Sequence, residues 1–180
     1  MTRTESRKPM HIFLTGEKQV GKSTLVSSVL SSLNLKYSGL RSISVFDEKG
    51  DRNVYLVPAN EENKEAAALV GVCSKHHITE KYPEVFDEVG CRLLDFDVDT
   101  ELIVIDEIGK MERDAKKYSD RILALLDRND VRILGVVQKK ADTDLAMAIR
   151  KHPNVRMIEV TEANRETLVQ VILSLLKEKN

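Results

Sequence analysis

Gly16-Glu17-Lys18-Gln19-Val20-Gly21-Lys22-Ser23 is the stretch on which the reading of this chain turns. It fits the spacing G-x-x-x-x-G-K-[ST], a loop that wraps the phosphates of a nucleotide. Each residue type answers a physical demand of that task. Gly16 and Gly21 allow torsions that side chains resist, so successive N–H groups can converge on phosphate oxygens. Lys22 brings a point charge to the β- and γ-phosphates, and the Ser23 hydroxyl can enter the shell of a Mg²⁺ ion. Gly16, Glu17, Lys18, Gln19, Val20, Gly21, Lys22, Ser23 and Thr24 are therefore predicted to hold the nucleotide. The implied ligand is a nucleoside triphosphate with Mg²⁺.

The flanks supply the context that the motif needs. His11-Ile12-Phe13-Leu14-Thr15 is a short apolar run, as a buried parallel strand should be. Beyond Ser23, Leu25, Val26, Val29, Leu30 and Leu33 recur at helical spacing. Strand, loop and helix follow one another, and the helix would turn its N-terminus toward the anion.

A length of 180 residues predicts one domain over 1–180 with a proper core, preceded at 1–9 by a loosely ordered lead-in. Charged residues make up 32% and hydrophobic ones 42%, and the net charge is −1. That balance gives no basic surface of the kind nucleic acids need, so no nucleic-acid partner is predicted. No apolar run is long enough to span a membrane. The start lacks the apolar core of a secretory signal. The two cysteines, Cys73 and Cys91, form no disulfide framework and suit a reducing cytoplasm.

Further along, Ser42 to Phe46 and Asn53 to Val57 flank Asp47-Glu48-Lys49-Gly50-Asp51, which reads as a hairpin at a sheet edge. Asn60 to Val72 could carry a short helix. Lys81 to Leu94 has helical spacing through Val85, Phe86, Val89 and Leu93. Glu101 to Asp106 is a second buried strand. Ala115 to Leu126 reads as a helix, Val131 to Gln138 as a strand, Asp142 to Lys151 as a helix, and Val155 to Val160 as a strand. Thr161 is a plausible N-cap for a last helix, whose apolar face is Leu168, Val171, Ile172, Leu175 and Leu176. Strands alternating with helices imply an α/β fold of three layers, a mostly parallel central sheet with helices on both faces, plus an antiparallel β-hairpin near residues 42–57.

Asp106-Glu107 ends the apolar strand 102–105. Open α/β sheets bind ligands beyond the carboxyl ends of their strands, so both acids stand where phosphates should lie. Asp106 is the predicted Mg²⁺ ligand beside Ser23. Glu107 is the predicted catalytic base for water, with Lys22 the catalytic cation.

Ile105-Asp106-Glu107-Ile108-Gly109-Lys110-Met111-Glu112 resembles the D-E-I-G-K-M-E signature of the THEP1-type nucleoside-triphosphatases. Gly39-Leu40-Arg41, Phe86-Asp87-Glu88-Val89-Gly90 and the segment from Glu159-Val160-Thr161 to Asn164-Arg165 resemble that family as well, and the likeness covers most of residues 10–176. It implies a P-loop NTPase fold like that of nucleotide kinases and the RecA core. It also implies slow, Mg²⁺-dependent hydrolysis of several nucleoside triphosphates. The chain departs from the family at Lys18-Gln19 (usually Pro-Gly), Ser23 (Thr), Leu40 (Phe) and Gln138 (often His).

Two other functions share these residues. A kinase would need an arginine-bearing lid, and Lys139 to Lys151 holds only Arg150. A nucleotide-switched binding module would need a partner, and no residue pattern identifies one. Lys110, Arg41, Arg150 and Arg165 are weaker candidates for contact with the nucleotide. Lys139-Lys140 reads as a solvated loop. Cys73, His76 and His77 lack a second ligand pair at zinc spacing and are not read as a metal site.

Overall fold

Apolar residues alternate along the central strands so that neighbours feed opposite cores. The computed structural model describes residues 11–60, 67–75 and 77–178; the expected lead-in at 1–9 and His76 lie outside them. Eight strands form one sheet: β1 (His11–Thr15), β2 (Tyr37–Phe46), β3 (Arg52–Pro58), β4 (Ala68–Ser74), β5 (His77–Lys81), β6 (Leu102–Ile108), β7 (Arg132–Val137) and β8 (Val155–Glu159). Their order is β5-β4-β3-β2-β6-β7-β1-β8. From β2 to β8 the neighbours run parallel, and from β2 to β5 antiparallel.

Ile12 and Leu14 of β1, Leu102 and Val104 of β6, and Leu134 and Val136 of β7 pack on one face. They meet Leu25, Val26 and Val29 of α1 (Lys22–Ser32) and Leu168, Ile172 and Leu173 of α6 (Arg165–Lys177). The intervening residues Phe13, Ile103, Ile105 and Ile133 turn to the other face. There they meet α4 (Lys116–Leu126) through Tyr118, Ile122 and Leu125, and α5 (Asp144–Lys151) through Leu145 and Ile149. A strict period of two on each strand thus makes three layers from one sheet. Each fully buried aliphatic side chain contributes about 2 kcal/mol.

The fold corrects several expectations. The 42–57 hairpin is not at an edge: β2 is the seam where the parallel and antiparallel halves join, and β5 and β8 are the edges. Gly39 makes that seam possible, since a Cβ there would sit 2.1 Å from the Val104 carbonyl oxygen. Residues 68–72, expected within a short helix, belong instead to β4, in which Val70 and Cys73 are buried. Residues 61–66 of the same expectation lie outside the described residues. The helix expected over 81–94 is three joined pieces, α2 (Pro83–Val85), a π-helical turn at Phe86–Gly90 and α3 (Cys91–Leu93). Asn164 rather than Thr161 stands at the N-cap of α6. On that helix Val171 is exposed and Leu173 is buried in its place.

Candidate active site

Strand β1 delivers the chain into a loop of unusual torsions: φ is +150° at Gly16, +60° at Gln19 and +101° at Gly21. Gly16 has no room for a side chain, because a Cβ would lie 2.5 Å from the Val160 carbonyl oxygen. Lys22 is buried, and its Nζ donates to the carbonyls of Gly16 at 3.0 Å and Glu17 at 2.6 Å. The ammonium therefore spans the loop and holds its curvature. Glu17, Lys18 and Gln19 form the exposed tip, and Val20 anchors the loop in the core beneath.

Asp106 shares its parity on β6 with Leu102 and Val104, which places it on the α1 face. Ser23, in the first turn of α1, donates from Oγ to Asp106 Oδ1 at 3.2 Å. The Asp106 carboxyl is 2% exposed. Burial lifts its pKa to about 6; the Ser23 hydrogen bond opposes that rise, the Glu107 charge adds to it, and Arg41 and Lys22 oppose it. Arg41 lies directly opposite Asp106 in the β2–β6 register, and its Nη2 donates to Ser27 Oγ at 3.1 Å.

Glu107 is the inserted residue of a β-bulge. Asp106 pairs with Val136 and Ile108 with Val137, so Glu107 has no partner on β7. The bulge resets the alternation: Ile108 would follow Asp106 onto the α1 face, yet it packs in the opposite core. Glu107 is left half-buried at the strand end, and the peptide joining it to Asp106 is cis.

Glu112 is a residue that sequence reasoning missed. It is 3% exposed, and its Oε1 accepts the Gly109 N–H at 2.5 Å. Burial raises its carboxyl to about 7, against the hydrogen bonds from its own backbone and from Gly109, with the Glu107 charge adding to the rise. Gln138 lies against the same loop. A Cβ on Gly109 would come within 2.4 Å of its side-chain amide, and the Gln138 N–H donates to the Ile108 carbonyl at 2.8 Å.

The weaker candidates separate. Arg150 donates to the carbonyls of Ala141 at 2.7 Å and Gln138 at 2.8 Å, so it holds the 138–141 loop. Lys139 is exposed, as expected, and it is also paired: its Nζ lies 3.2 Å from Glu17 and 2.7 Å from Glu159, clasping the phosphate loop to the end of β8. Lys110 lines an open cleft of about 340 Å³ with Ile78, Glu80, Lys81 and Arg113, on the antiparallel wing. Arg165 lies alongside Gly21. Cys73 Sγ accepts from Arg52 Nη2 at 3.3 Å. Pairings such as Lys139–Glu159 arise only from the sheet order, which no local pattern spells out.

The residues present fit a magnesium ion. Ser23 Oγ and Asp106 Oδ1, 3.2 Å apart, are hard oxygen donors, one of them a carboxylate. Mg²⁺ prefers such donors and takes few protein ligands beside substrate phosphates.

The chain is similar to known proteins over nearly its whole length. The sequence model of the NTPase family matches residues 11–173. The nucleoside-triphosphatase THEP1 of Aquifex aeolicus is 29% identical over 177 residues, covering 93% of this chain and 99% of that protein. The nucleoside-triphosphatase THEP1 of Thermotoga sp. strain RQ2 is 30% identical over 171 residues, covering 93% of this chain and 96% of that protein. The crystal structure of THEP1 from Aquifex aeolicus superposes with a TM-score of 0.76 at 26% identity, over 94% of this chain and 100% of that one. A family match over nearly the whole chain, together with the shared three-layer fold, makes this protein a member of the THEP1-type nucleoside-triphosphatase family.

Proposed function

We propose that the chain hydrolyses nucleoside 5′-triphosphates to the diphosphate and phosphate, slowly, with Mg²⁺ and with little regard to the base. The observation that carries this reading is the Ser23–Asp106 contact, which sets a carboxylate beside the phosphate loop with Glu107 next in the chain. The backbone N–H groups of residues 16–24 and the Lys22 ammonium would hold the phosphates. Ser23 and Asp106 would hold the magnesium ion. When bound, that ion supplies positive charge against the charge that develops on the phosphoryl oxygens.

Glu107 projects from a bulge at the strand end and is available to orient water and take its proton. Slow turnover suits a site in which the arginine beside the acids is engaged elsewhere. Arg41 stands beside Asp106 but donates to Ser27, and an arginine on the transferring phosphoryl group is worth many-fold in rate. Broad base acceptance suits a loop that contacts phosphates and ignores the base. A kinase is disfavoured because Arg150, the arginine of segment 139–151, is tied to loop carbonyls and is not free to close on an acceptor. One sheet joins strands from residue 11 to residue 159, which supports reading the chain as one domain. No helix among the described residues is long and apolar enough to cross a membrane.

The test is phosphate release from ATP, GTP, CTP and UTP with Mg²⁺, for the wild type and Glu107→Gln in parallel. The expected result is release from all four, reduced roughly 10²–10⁴-fold in the variant with nucleotide affinity retained. A variant as fast as the wild type would remove Glu107 from the chemistry.

A further inference from the structure

We infer that Arg165 is a nucleotide-binding residue that pairs with the phosphates that are not transferred, an assignment that rests on the nucleotide site proposed above. The cations around the phosphate loop are mostly engaged already. Lys22 is held by the carbonyls of Gly16 and Glu17. Lys139 is shared between Glu17 and Glu159. Arg41 is on Ser27, and Arg150 is on the 138–141 carbonyls. Arg165 has no side-chain hydrogen bond or ion pair among the described residues, although it lies against the loop. Its Cδ and Nη1 are 3.7 and 3.9 Å from where a Cβ on Gly21 would stand.

Its placement is built into the fold. The Val160 N–H donates to the Thr15 carbonyl at 2.7 Å, tying the turn after β8 to the point where β1 enters the phosphate loop. Within that turn, Asn164 Oδ1 accepts the Thr161 N–H at 2.8 Å and Asn164 Nδ2 donates to the Glu159 carbonyl at 3.0 Å. The Arg165 N–H donates to the Thr161 carbonyl at 3.1 Å. A five-residue turn is thus closed on itself, and it presents Arg165 as the first residue of α6 beside Gly21.

The sheet order decides which phosphates the guanidinium addresses. Asp106 and Glu107, which mark the hydrolytic end, follow β6; Arg165 follows β8. Two strands, β7 and β1, lie between them. Three inter-strand steps amount to about 14 Å. Arg165 therefore approaches from the side away from the acids and meets phosphates common to substrate and product. A guanidinium is permanently charged, and its planar fork of N–H donors matches two phosphate oxygens at once. A contact made equally to substrate and product strengthens binding without accelerating the chemical step.

The experiment is equilibrium binding of ADP and GDP, with steady-state kinetics on ATP, for the wild type, Arg165→Met and Arg165→Lys. Arg165→Met is expected to weaken ADP and GDP by the same factor, roughly 10-fold or more, and to raise KM for ATP similarly, with kcat within about twofold. Arg165→Lys retains the charge but not the fork, and its ADP affinity is expected to fall between the two, which also separates loss of contact from loss of fold. A fall in kcat with affinity unchanged would place the guanidinium on the transferred phosphoryl group and overturn the inference. So would unequal losses for ADP and GDP, which would place it on the base, or unchanged binding in both variants. Diphosphate binding needs no turnover. A wild type that releases no phosphate, with ADP still weakened in Arg165→Met, would refute hydrolysis and uphold Arg165; a wild type that binds no nucleotide would refute both.

Discussion

Gln19 carries a torsion that its residue type does not favour. Its φ of +60° lies in the left-handed region, where a side chain costs about 1–2 kcal/mol and glycine costs nothing comparable. The THEP1-type loop that this chain resembles has glycine at that position. Gln19→Gly is expected to be at least as stable as the wild type in chemical denaturation, and Gln19→Val less stable than Gln19→Gly by about 1–2 kcal/mol, because a β-branched residue fits φ > 0 worst. Equal stability of all three would mean that the loop does not hold this torsion at rest. At this scale much of the candidate site was legible. Glycines, lysine and hydroxyl at set spacing, and an acid at the end of an apolar run, each state a local requirement. Arg165 and Lys139 were not legible in the same way: their neighbours Gly21 and Glu159 are brought to them by strand order.

Strand β6 and the loop after it show what an element adds to its residues. The bulge at Glu107 lets Asp106 face α1 while Ile108 packs in the opposite core. Glu112 then folds back beneath the loop and takes the Gly109 N–H. Its carboxyl is raised to about 7 by burial, so the folded state keeps a proton that the unfolded chain releases near 4.5. That contribution to stability is present at low pH and is lost as pH rises through about 7. Relative to the wild type, Glu112→Gln is therefore expected to gain on the order of 3 kcal/mol between pH 4.5 and pH 7, read from denaturation curves at each pH. Glu112→Leu leaves the Gly109 N–H unpaired and is expected to cost about 1–3 kcal/mol at every pH. A flat difference for Glu112→Gln would show that the carboxyl titrates normally.

Element boundaries were the less legible part of the fold, for a physical reason. Strands β1, β6 and β7 are buried on both faces and read as unbroken apolar runs. Residues 68–74 begin at the last of three alanines, and only their pairing with β3 and β5 makes them a strand. The start of α4 has no cap of its own; Asp87, from the π-helical turn, accepts the Tyr118 N–H at 2.9 Å. A cap supplied from 31 residues away leaves no mark in the local sequence.

At the scale of the whole molecule, buried titratable groups work against one another. His11 is fully buried; its Nε2 bonds the Leu126 carbonyl at 3.0 Å, and its Nδ1 has no partner among the described residues. Burial lowers its pKa to about 4, so the unfolded chain binds a proton near 6.5 that the folded state refuses. Its stability contribution is present above pH 6.5 and is lost as pH falls toward 4, on the order of 3 kcal/mol in all. Asp106 and Glu112, both raised, tilt the opposite way across an overlapping window. Two raised carboxyls outweigh one lowered histidine, so the ligand-free protein is expected to lose on the order of 2 kcal/mol of stability between about pH 4.5 and 6.5. His11→Asn should steepen that decline to on the order of 4 kcal/mol over the same range; the Leu126 carbonyl stays satisfied there by Asn154 Nδ2 at 3.0 Å. The same slope in His11→Asn as in the wild type would mean that His11 titrates alike in both states.

Strand β1 lies between β7 and β8, with its loop pinned to Val160 and clasped by Lys139. During synthesis, the loop at residues 16–23 leaves the ribosome long before either flanking strand has been made. Its walls arrive only when the chain has been translated to the turn at residues 160–165. Until then a nascent chain carries the phosphate-binding sequence without the surroundings that curve it, and nucleotide capture awaits near-completion of this stretch of polypeptide.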